Sequence, residues 1–129
     1  MILFINTSQN DLIQIKLIDQ GKIIRRAENH EQFKQAELLL NMASEVVKKD
    51  KLEAVAVVSG PGAFSALRFG LTTANTLAWS LHLPVIDLTV KEAENEEQLI
   101  VLLENKLKNI KAGDFKPVIP KYGKDPNIT

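Results

Sequence analysis

A glycine-containing turn that follows a nearly continuous apolar segment is the first candidate for chemistry in this sequence. It reads Ser59-Gly60-Pro61-Gly62 and leads directly into a segment with helical periodicity. A strand-to-helix turn of this kind offers free backbone N–H groups, and the positive end of the helix points the same way. Pro61 removes one donor, however, and no lysine follows at P-loop spacing. The turn is compatible with an anion site at Ser59, Gly60 and Gly62, and the alternative is a tight structural connection.

Other residue types with catalytic or metal-binding chemistry are scarce. The chain has no cysteine, which excludes disulfides, thiol catalysis and zinc–cysteine sites. His30 and His82 are the only histidines, and no catalytic triad can be argued from the spacing of serine, histidine and aspartate. We therefore expect no metal, no cofactor and no catalytic residues.

The composition indicates one soluble domain without a strong charge bias. The chain has 129 residues, 45% of them apolar and 25% charged, which is ordinary for a globular protein. Sixteen basic residues balance sixteen acidic ones, so the chain lacks the basic footprint of an autonomous nucleic-acid binder. Residues 67–83 are the most apolar stretch, but polar side chains interrupt it too often for a membrane span. We expect a cytoplasmic protein.

The elements that would position the turn are three strands followed by alternating helices and strands. Strand patterns cover residues 2–5, 12–18, 23–27, 52–59 and 84–88, and helical patterns cover residues 32–49, 63–81 and 94–109. The order β-β-β-α-β-α-β-α predicts an α/β fold with a mixed five-stranded sheet. The first three strands should be antiparallel neighbours, and the last two should run parallel to the first. This is the element order of one lobe of the actin, hexokinase and Hsp70 fold.

The first predicted helix carries more apolar surface than one face of a sheet requires. On a helical wheel, the core stripe would be Phe33, Ala36, Leu39, Leu40, Ala43 and Val47. A second apolar stripe beside it comprises Leu38, Met42 and Val46, with Gln35 among them. This second stripe predicts contact with another protein.

The second predicted helix lacks charge where a solvated face would carry it. Residues 69–81 contain no Asp, Glu, Lys or Arg. The core stripe would be Leu67, Gly70, Leu71, Ala74, Ala78 and Leu81, and the opposite side carries Ser65, Phe69, Thr72, Thr76 and Trp79. Aromatic and small hydroxyl side chains bury area without a charge to desolvate, as in protein interfaces.

The two helices together predict one partner interface. Its residues would be Gln35, Leu38, Met42 and Val46 from the first helix and Phe69, Thr72, Thr73 and Thr76 from the second. The alternative is that a loop or the C-terminal tail covers these surfaces. Residues 116–122 are apolar enough to pack, and we expect them to fold back on the domain.

The segment that begins at the glycine-containing turn also carries a specific resemblance to a known family. Residues 59–74 read Ser-Gly-Pro-Gly-Ala-Phe-Ser-Ala-Leu-Arg-Phe-Gly-Leu-Thr-Thr-Ala. This run is similar to the Gly-Pro-Gly…Leu-Arg-x-Gly signature of the TsaB (YeaZ) family of tRNA-threonylcarbamoyladenosine assembly proteins. Leu83-Pro84-Val85 and residues 2–8 and 37–42 resemble further segments of that family. The resemblance covers about residues 1–90 and implies an actin-like first lobe over residues 1–110, followed by a tail over residues 111–129.

This resemblance implies a supporting role in a complex. Members pair, through the two helices that flank the sheet, with a TsaD-like catalytic subunit that transfers a threonylcarbamoyl group to an adenosine of tRNA. The resemblance thus implies a non-catalytic scaffold or activator in a homodimer or heterodimer. A TsaE-like ATPase would be a further partner, tRNA would be contacted only indirectly, and no membrane would be involved.

Two departures from the family bear on this expectation. Asn6 stands where an acidic residue is usual in actin-like ATPases, so the carboxylate that interacts with the metal is missing. The family's second lobe has no counterpart in this chain, so half of a nucleotide cleft would be absent. Both oppose a nucleotide-binding actin-like enzyme, which remains an alternative beside a self-associating module without a tRNA role.

Overall fold

The computed structural model describes residues 1–110 and 117–119. Its elements are β1 Ile2–Asn6, β2 Ile13–Asp19, β3 Lys22–Asn29, α1 Gln35–Val47, β4 Ala54–Gly60, α2 Phe64–Leu81, β5 Val85–Thr89, α3 Val90–Glu94 and α4 Glu96–Lys108. The predicted order is confirmed, except that the last predicted helix divides into α3 and α4. Asn95 leaves the helical conformation there, and its side chain caps α4 by accepting a hydrogen bond from the Gln98 N–H. Within the described residues, no helix is long and apolar enough to cross a membrane.

The strands form one mixed five-stranded sheet in the order β3-β2-β1-β4-β5. β1 and β3 both pair antiparallel with β2, whereas β4 runs parallel to β1 and β5 runs parallel to β4. Short connections join the antiparallel strands, and helical crossovers return the chain in the same direction for the parallel ones. The predicted α/β class and strand arrangement are therefore confirmed.

Both faces of the sheet are buried, so alternate side chains of the central strands enter two separate cores. Leu3 and Ile5 of β1 join the core beneath α1 and α2, whereas Ile2 and Phe4 join the core beneath α3 and α4. Every residue of β4 is buried, which explains its nearly continuous apolar sequence. Helices α1 and α2 thus cover one face of the sheet, and helices α3 and α4 cover the other.

An arginine on the edge strand β3 holds the C-terminus of α1. The last turn of α1 contains no basic residue, although a cation there would interact favourably with the helix dipole. Arg25 supplies that cation, since its Nη1 donates to the Val46 carbonyl at 2.5 Å and its Nη2 to the Asp50 carboxylate at 2.5 Å. The end of α1 is thereby fixed to the edge of the sheet.

Residues 117–119 lie against the α1–α2 side of the domain. The Asn75 side chain and the Val118 main chain share two hydrogen bonds of 2.9 Å, and Val118 packs against the core on that side. The expectation that the tail folds back is confirmed at Val118. Residues 116 and 120–122 of the same expectation lie outside the described residues.

The start of α3 has a reciprocal cap that contains a carboxylate. Thr89 Oγ1 accepts a hydrogen bond from the Glu92 N–H at 3.1 Å, and Glu92 Oε1 accepts one from the Thr89 N–H at 2.8 Å. The bond from the Thr89 N–H lowers the pKa of Glu92 below its ordinary value, and the Lys106 ammonium group, 3.7 Å away, lowers it further. The ionised form of Glu92 therefore stabilises the fold.

We predict that Glu92→Gln lowers the free energy of unfolding by about 0.3–1 kcal/mol at neutral pH, because the amide keeps the bond to Thr89 but loses the charge. A carboxyl whose pKa falls on folding stabilises the native state above its unfolded pKa, and this contribution is lost as the pH drops through the folded pKa. The difference from wild type should therefore shrink below about pH 4.5 and vanish in stronger acid. Urea unfolding across this range measures it, and a pH-independent difference would contradict the assignment.

Candidate protein-interaction face and the turn that orients it

The connection between β1 and β2 docks onto the start of α2 at two glycines. A Cβ atom at Gly62 would lie 2.1 Å from the Ser8 carbonyl oxygen, and one at Gly70 would lie 2.2 Å from Thr7 Oγ1. Both distances are too short for a side chain, so this close approach requires glycine at both positions. The Ala63 N–H also donates to the Ser8 carbonyl at 2.8 Å. The glycines of the signature segment thus bring β1 and α2 together.

Thr7 provides the buried hydroxyl of this contact. Its side chain is fully buried, and its Oγ1 donates to the Ala66 carbonyl at 2.7 Å. That oxygen occupies the space a side chain at Gly70 would need. The hydroxyl and the glycine together set the distance between the end of β1 and the first turns of α2.

The residues considered for an anion site already contact protein groups. Ser59 is buried, and its hydroxyl donates to the carboxylate of Asp87. Gly60 has a φ of 137°, which glycine adopts far more readily than other residues, and Gly62 faces a main-chain carbonyl oxygen. A carboxylate and a carbonyl oxygen beside the turn oppose an incoming anion. Anion binding at Ser59, Gly60 and Gly62 stays a prediction, and the contacts favour the structural alternative.

Asn6 ends β1 as a neutral hydrogen-bonding residue. Its Oδ1 accepts from the Ser8 N–H at 3.0 Å, and its Nδ2 lies 3.5 Å from Gln14 Oε1. Gln14 donates in turn to Glu28 at 2.8 Å, and this bond is the main cause that lowers the pKa of Glu28. Amide groups therefore organise this end of the sheet. Across residues 1–110 and 117–119, no group of three or more histidine or acidic side chains is arranged to hold a metal ion.

Gln35 anchors α1 to the connection between β1 and β2. The residue is only 2% exposed, and its Nε2 donates to the main-chain carbonyl oxygens of residues 9, 10 and 12 at 3.0–3.1 Å. Its amide therefore ties the start of α1 to three main-chain carbonyl oxygens of this connection, two of which also accept main-chain N–H groups. The structure corrects the placement of Gln35 on a partner-facing stripe, because this side chain is enclosed by its own domain.

The rotation of α1 also differs from the helical wheel. Val46 is buried, and Leu38 and Met42 are half-buried against the core. Phe33 and Leu40, both predicted as core, are exposed, and Phe33 lies before the first residue of α1 with a φ of 58°. The predicted partner stripe of α1 thus faces the sheet. A partner could reach only the edges of Leu38 and Met42, and not Val46.

From residue 69 to residue 81 the outward face of α2 carries no charged side chain, whereas the exposed Arg68 lies at its N-terminal end. Phe69 is 42% and Trp79 is 67% exposed, Thr72 and Thr76 are exposed between them, and Thr73 is half-buried at the margin. Their spacing of three or four residues makes them one stripe along the helix. Of the predicted core residues of α2, five are buried, namely Leu67, Gly70, Leu71, Ala74 and Ala78. We call the exposed side chains of Ser65, Phe69, Thr72, Thr76 and Trp79 the α2 stripe.

Sequence reasoning missed three exposed apolar residues beside the α2 stripe. Leu40 and Leu81, both assigned to the core, are exposed and line a groove of about 420 Å³ between α1 and α2. Phe64 is also exposed, and the Arg68 guanidinium lies 5.7 Å from the centre of its ring. Leu81 is the last residue of α2, where the helix extends past the residues that pack on the sheet. The exposure of Leu40 could not be predicted from the sequence, because it follows from the rotation of α1 that buries the Gln35 amide.

Sequence comparisons connect the chain to one family of tRNA-modifying proteins. Residues 27–125 match the family model described as TsaD: tRNA N6-adenosine threonylcarbamoyltransferase. Proteins named tRNA N6-adenosine threonylcarbamoyltransferase from two strains of Lactococcus lactis subsp. cremoris are 50% identical to the chain over 40 residues. That segment is 31% of this chain and spans 12% of the length of those curated relatives.

Two solved structures share the fold. YeaZ from Pseudomonas aeruginosa superposes with a TM-score of 0.63 at 24% identity, over 68% of this chain and 43% of that chain. An uncharacterized protein with similarity to peptidase YeaZ from Pseudomonas aeruginosa gives a TM-score of 0.62 at 24% identity, over 68% of this chain and 42% of that chain. The match spans less than half of each of these structures. The likeness shows that the chain shares the fold of these YeaZ structures, in agreement with the predicted α/β lobe.

The contact at Gly70 gives a test with an internal rescue. Alanine favours helix over glycine by about 1 kcal/mol, yet we predict that Gly70→Ala lowers the free energy of unfolding by about 1–3 kcal/mol because its Cβ would meet Thr7 Oγ1. Thr7→Ala removes that oxygen, so adding Gly70→Ala to Thr7→Ala should cost little or nothing. Chemical denaturation of the four proteins in this double-mutant cycle measures the coupling.

Gly62→Ala is the matched control for this cycle. Its Cβ would meet a main-chain carbonyl oxygen that no substitution at Thr7 removes. It should therefore be equally destabilising with and without Thr7→Ala. Additive effects of Gly70→Ala and Thr7→Ala would show that the contact does not fix the position of α2.

Proposed function

This chain belongs to the family whose model is described as TsaD: tRNA N6-adenosine threonylcarbamoyltransferase, and within that family we propose that it is a non-catalytic scaffold or activator subunit for a TsaD-like catalytic subunit. Family and fold make it a protein related to tRNA modification. The finer proposal is carried by one observation, the charge-free exposed α2 stripe. A dimer with the catalytic subunit and a TsaE-like ATPase as a third component are part of this proposal.

The α2 stripe has the chemistry of a helix–helix interface. It extends from residue 65 to residue 79, which is about 20 Å along the helix axis. Phe69 and Trp79 supply the large, exposed rings that often dominate binding energy in interfaces. Thr72 and Thr76 stand between them, and their small side chains allow a partner helix to approach. The side chains of the stripe are themselves uncharged, so burying them desolvates no ion. The exposed Arg68 lies beside Ser65 and Phe69 and would stay at the rim or meet an acidic group of the partner.

The sequence predicted that Leu38, Met42 and Val46 would be the apolar partner contacts of α1. In the structure, the exposed apolar surface of α1 lies instead in the groove between α1 and α2. Leu40 and Leu81 line it, with a volume of about 420 Å³ that suits apolar side chains of a partner. Lys48 and Lys51 also line the groove, whereas Asp50 between them is paired with Arg25. The edge of the groove is therefore positively charged, which favours a partner that places acidic residues beside the apolar side chain it inserts.

The non-catalytic part of the proposal is supported by the polar groups at the ends of β1 and β4. Asn6 is neutral and its amide is hydrogen-bonded within the domain. The Ser59 hydroxyl is buried against a carboxylate. Neither group is arranged as a nucleophile or as a metal ligand for a nucleotide. Self-association through the same stripe remains the competing interpretation, and the binding experiment below separates the two.

We predict that Phe69→Glu weakens binding of the TsaD-like catalytic subunit at least tenfold, or about 1.4 kcal/mol. The substitution removes an aromatic contact and places an unpaired charge in the interface. The chain itself should unfold at an unchanged temperature, because the Phe69 side chain projects from the surface. Titration calorimetry with the purified catalytic subunit from the same cell measures the affinity.

Val101→Glu is the matched control, since Val101 is an exposed apolar residue of α4 on the opposite face of the sheet. It should bind the catalytic subunit with wild-type affinity. Equal affinities for Phe69→Glu and wild type would remove the α2 stripe from the interface. No binding by wild type, together with a concentration-dependent dimer that Phe69→Glu abolishes, would instead support a self-associating module.

A further inference from the structure

We propose that residues 117–119 form a strap that completes the partner surface of α2, and that Asn75 is the residue that positions it. The strap adds Ile119 to the α2 stripe as a contact for the TsaD-like catalytic subunit. This inference rests on the proposed function, because it names a further contact for the same partner.

The anchor of the strap is a pair of reciprocal hydrogen bonds. Asn75 Nδ2 donates to the Val118 carbonyl, and the Val118 N–H donates to Asn75 Oδ1, both at 2.9 Å. A carboxamide presents one donor and one acceptor side by side, as a peptide group does. The pair therefore reproduces one bridge of a β-ladder on the side of a helix. Since both main-chain groups of Val118 are engaged, the strap is held at this residue and in one register.

That register determines which side chains face outward. Val118 is half-buried and packs against the core beneath α1 and α2, whereas Pro117 and Ile119 on either side of it are exposed. Ile119 is accordingly 76% exposed, more than any other large apolar side chain in residues 1–110 and 117–119. The anchor keeps Ile119 in water in the free chain. Burial by a partner would remove this apolar surface from water.

The strap borders the α2 stripe on the flank opposite the groove. Thr72 precedes Asn75 by three residues and Trp79 follows it by four, so both are its neighbours on the helix surface. Leu77, which lines the groove, lies two residues from Asn75 and is therefore about 160° away around the helix. The partner face is thus bounded by the groove on one side and by the strap on the other.

A strap that only covered the core would depend on Val118 alone. Substitution of Ile119 would then leave the affinity for the partner unchanged. A strap that forms part of the docking surface would depend on Ile119 for affinity and on Asn75 for position. Continuity with the α2 stripe favours the docking surface, and the two roles predict different effects of Ile119→Asp.

The test uses the full chain and the purified catalytic subunit. Ile119→Asp changes only the outward side chain, whereas Asn75→Leu keeps a side chain of similar size and removes both hydrogen bonds. Amide exchange at Val118 in the free chain reports whether the strap is anchored. Titration calorimetry reports the dissociation constant, and Val101→Asp on the opposite face is the control.

We expect slowed exchange at Val118 in wild type and in Ile119→Asp, and fast exchange in Asn75→Leu. Both variants should raise the dissociation constant at least tenfold, while Val101→Asp leaves it unchanged. Unaltered affinity in both variants would overturn the inference, as would unprotected exchange of Val118 in wild type. If Phe69→Glu still weakens binding, the proposed function survives that failure; if wild type does not bind at all, the proposed function and the inference both fall.

Discussion

The connection between β1 and β2 is the constraint on which the orientation of both helices on the α1–α2 face depends. Its carbonyl oxygens at residues 9, 10 and 12 receive the buried amide of Gln35 from α1. At its start, Thr7 and Ser8 lie against Gly70 and Gly62 at the beginning of α2. These contacts are directional, whereas a hydrophobic core tolerates rearrangement of apolar side chains of similar volume. The connection therefore determines which side of each helix meets the sheet and which side remains at the surface.

The outward surface of α2 is a feature that the fold itself does not require. The buried side of the helix is sufficient to cover the sheet, and charged residues on the exposed side would leave the core unchanged. Phe69, Thr72 and Trp79 are exposed and uncharged all the same. The family match uses sequence similarity, and the surface argument uses burial and charge. The first relates the chain to tRNA modification, and the second is the basis for proposing a protein partner.

The sheet could be predicted from the sequence because strand alternation and helical periodicity are local properties. β2 alternates as a half-buried strand does, and β4 is apolar throughout because both its faces are covered. The rotation of α1 could not be predicted, since hydrophobicity alone places Leu40 inside and Gln35 outside. The carbonyl groups that bury the Gln35 amide come from a turn 23–26 residues earlier in the chain. The reason for Gly70 could not be predicted either, because the Thr7 hydroxyl that lies against it and donates to the Ala66 carbonyl comes from a residue 59 positions before Ala66.

If the catalytic subunit covers the α2 stripe, as we propose, it must also cover Trp79, and this residue allows a direct test. Trp79 is the single tryptophan of the chain and lies exposed at one end of the stripe. Chain labelled with 5-fluorotryptophan gives one fluorine resonance, whose shift between water and heavy water reports solvent contact. We predict that addition of the unlabelled catalytic subunit moves this resonance and abolishes its solvent-isotope shift. If a complex forms, as judged by its size, while the resonance and its solvent contact stay unchanged, the interface lies elsewhere on the chain and the α2 stripe is not the docking surface.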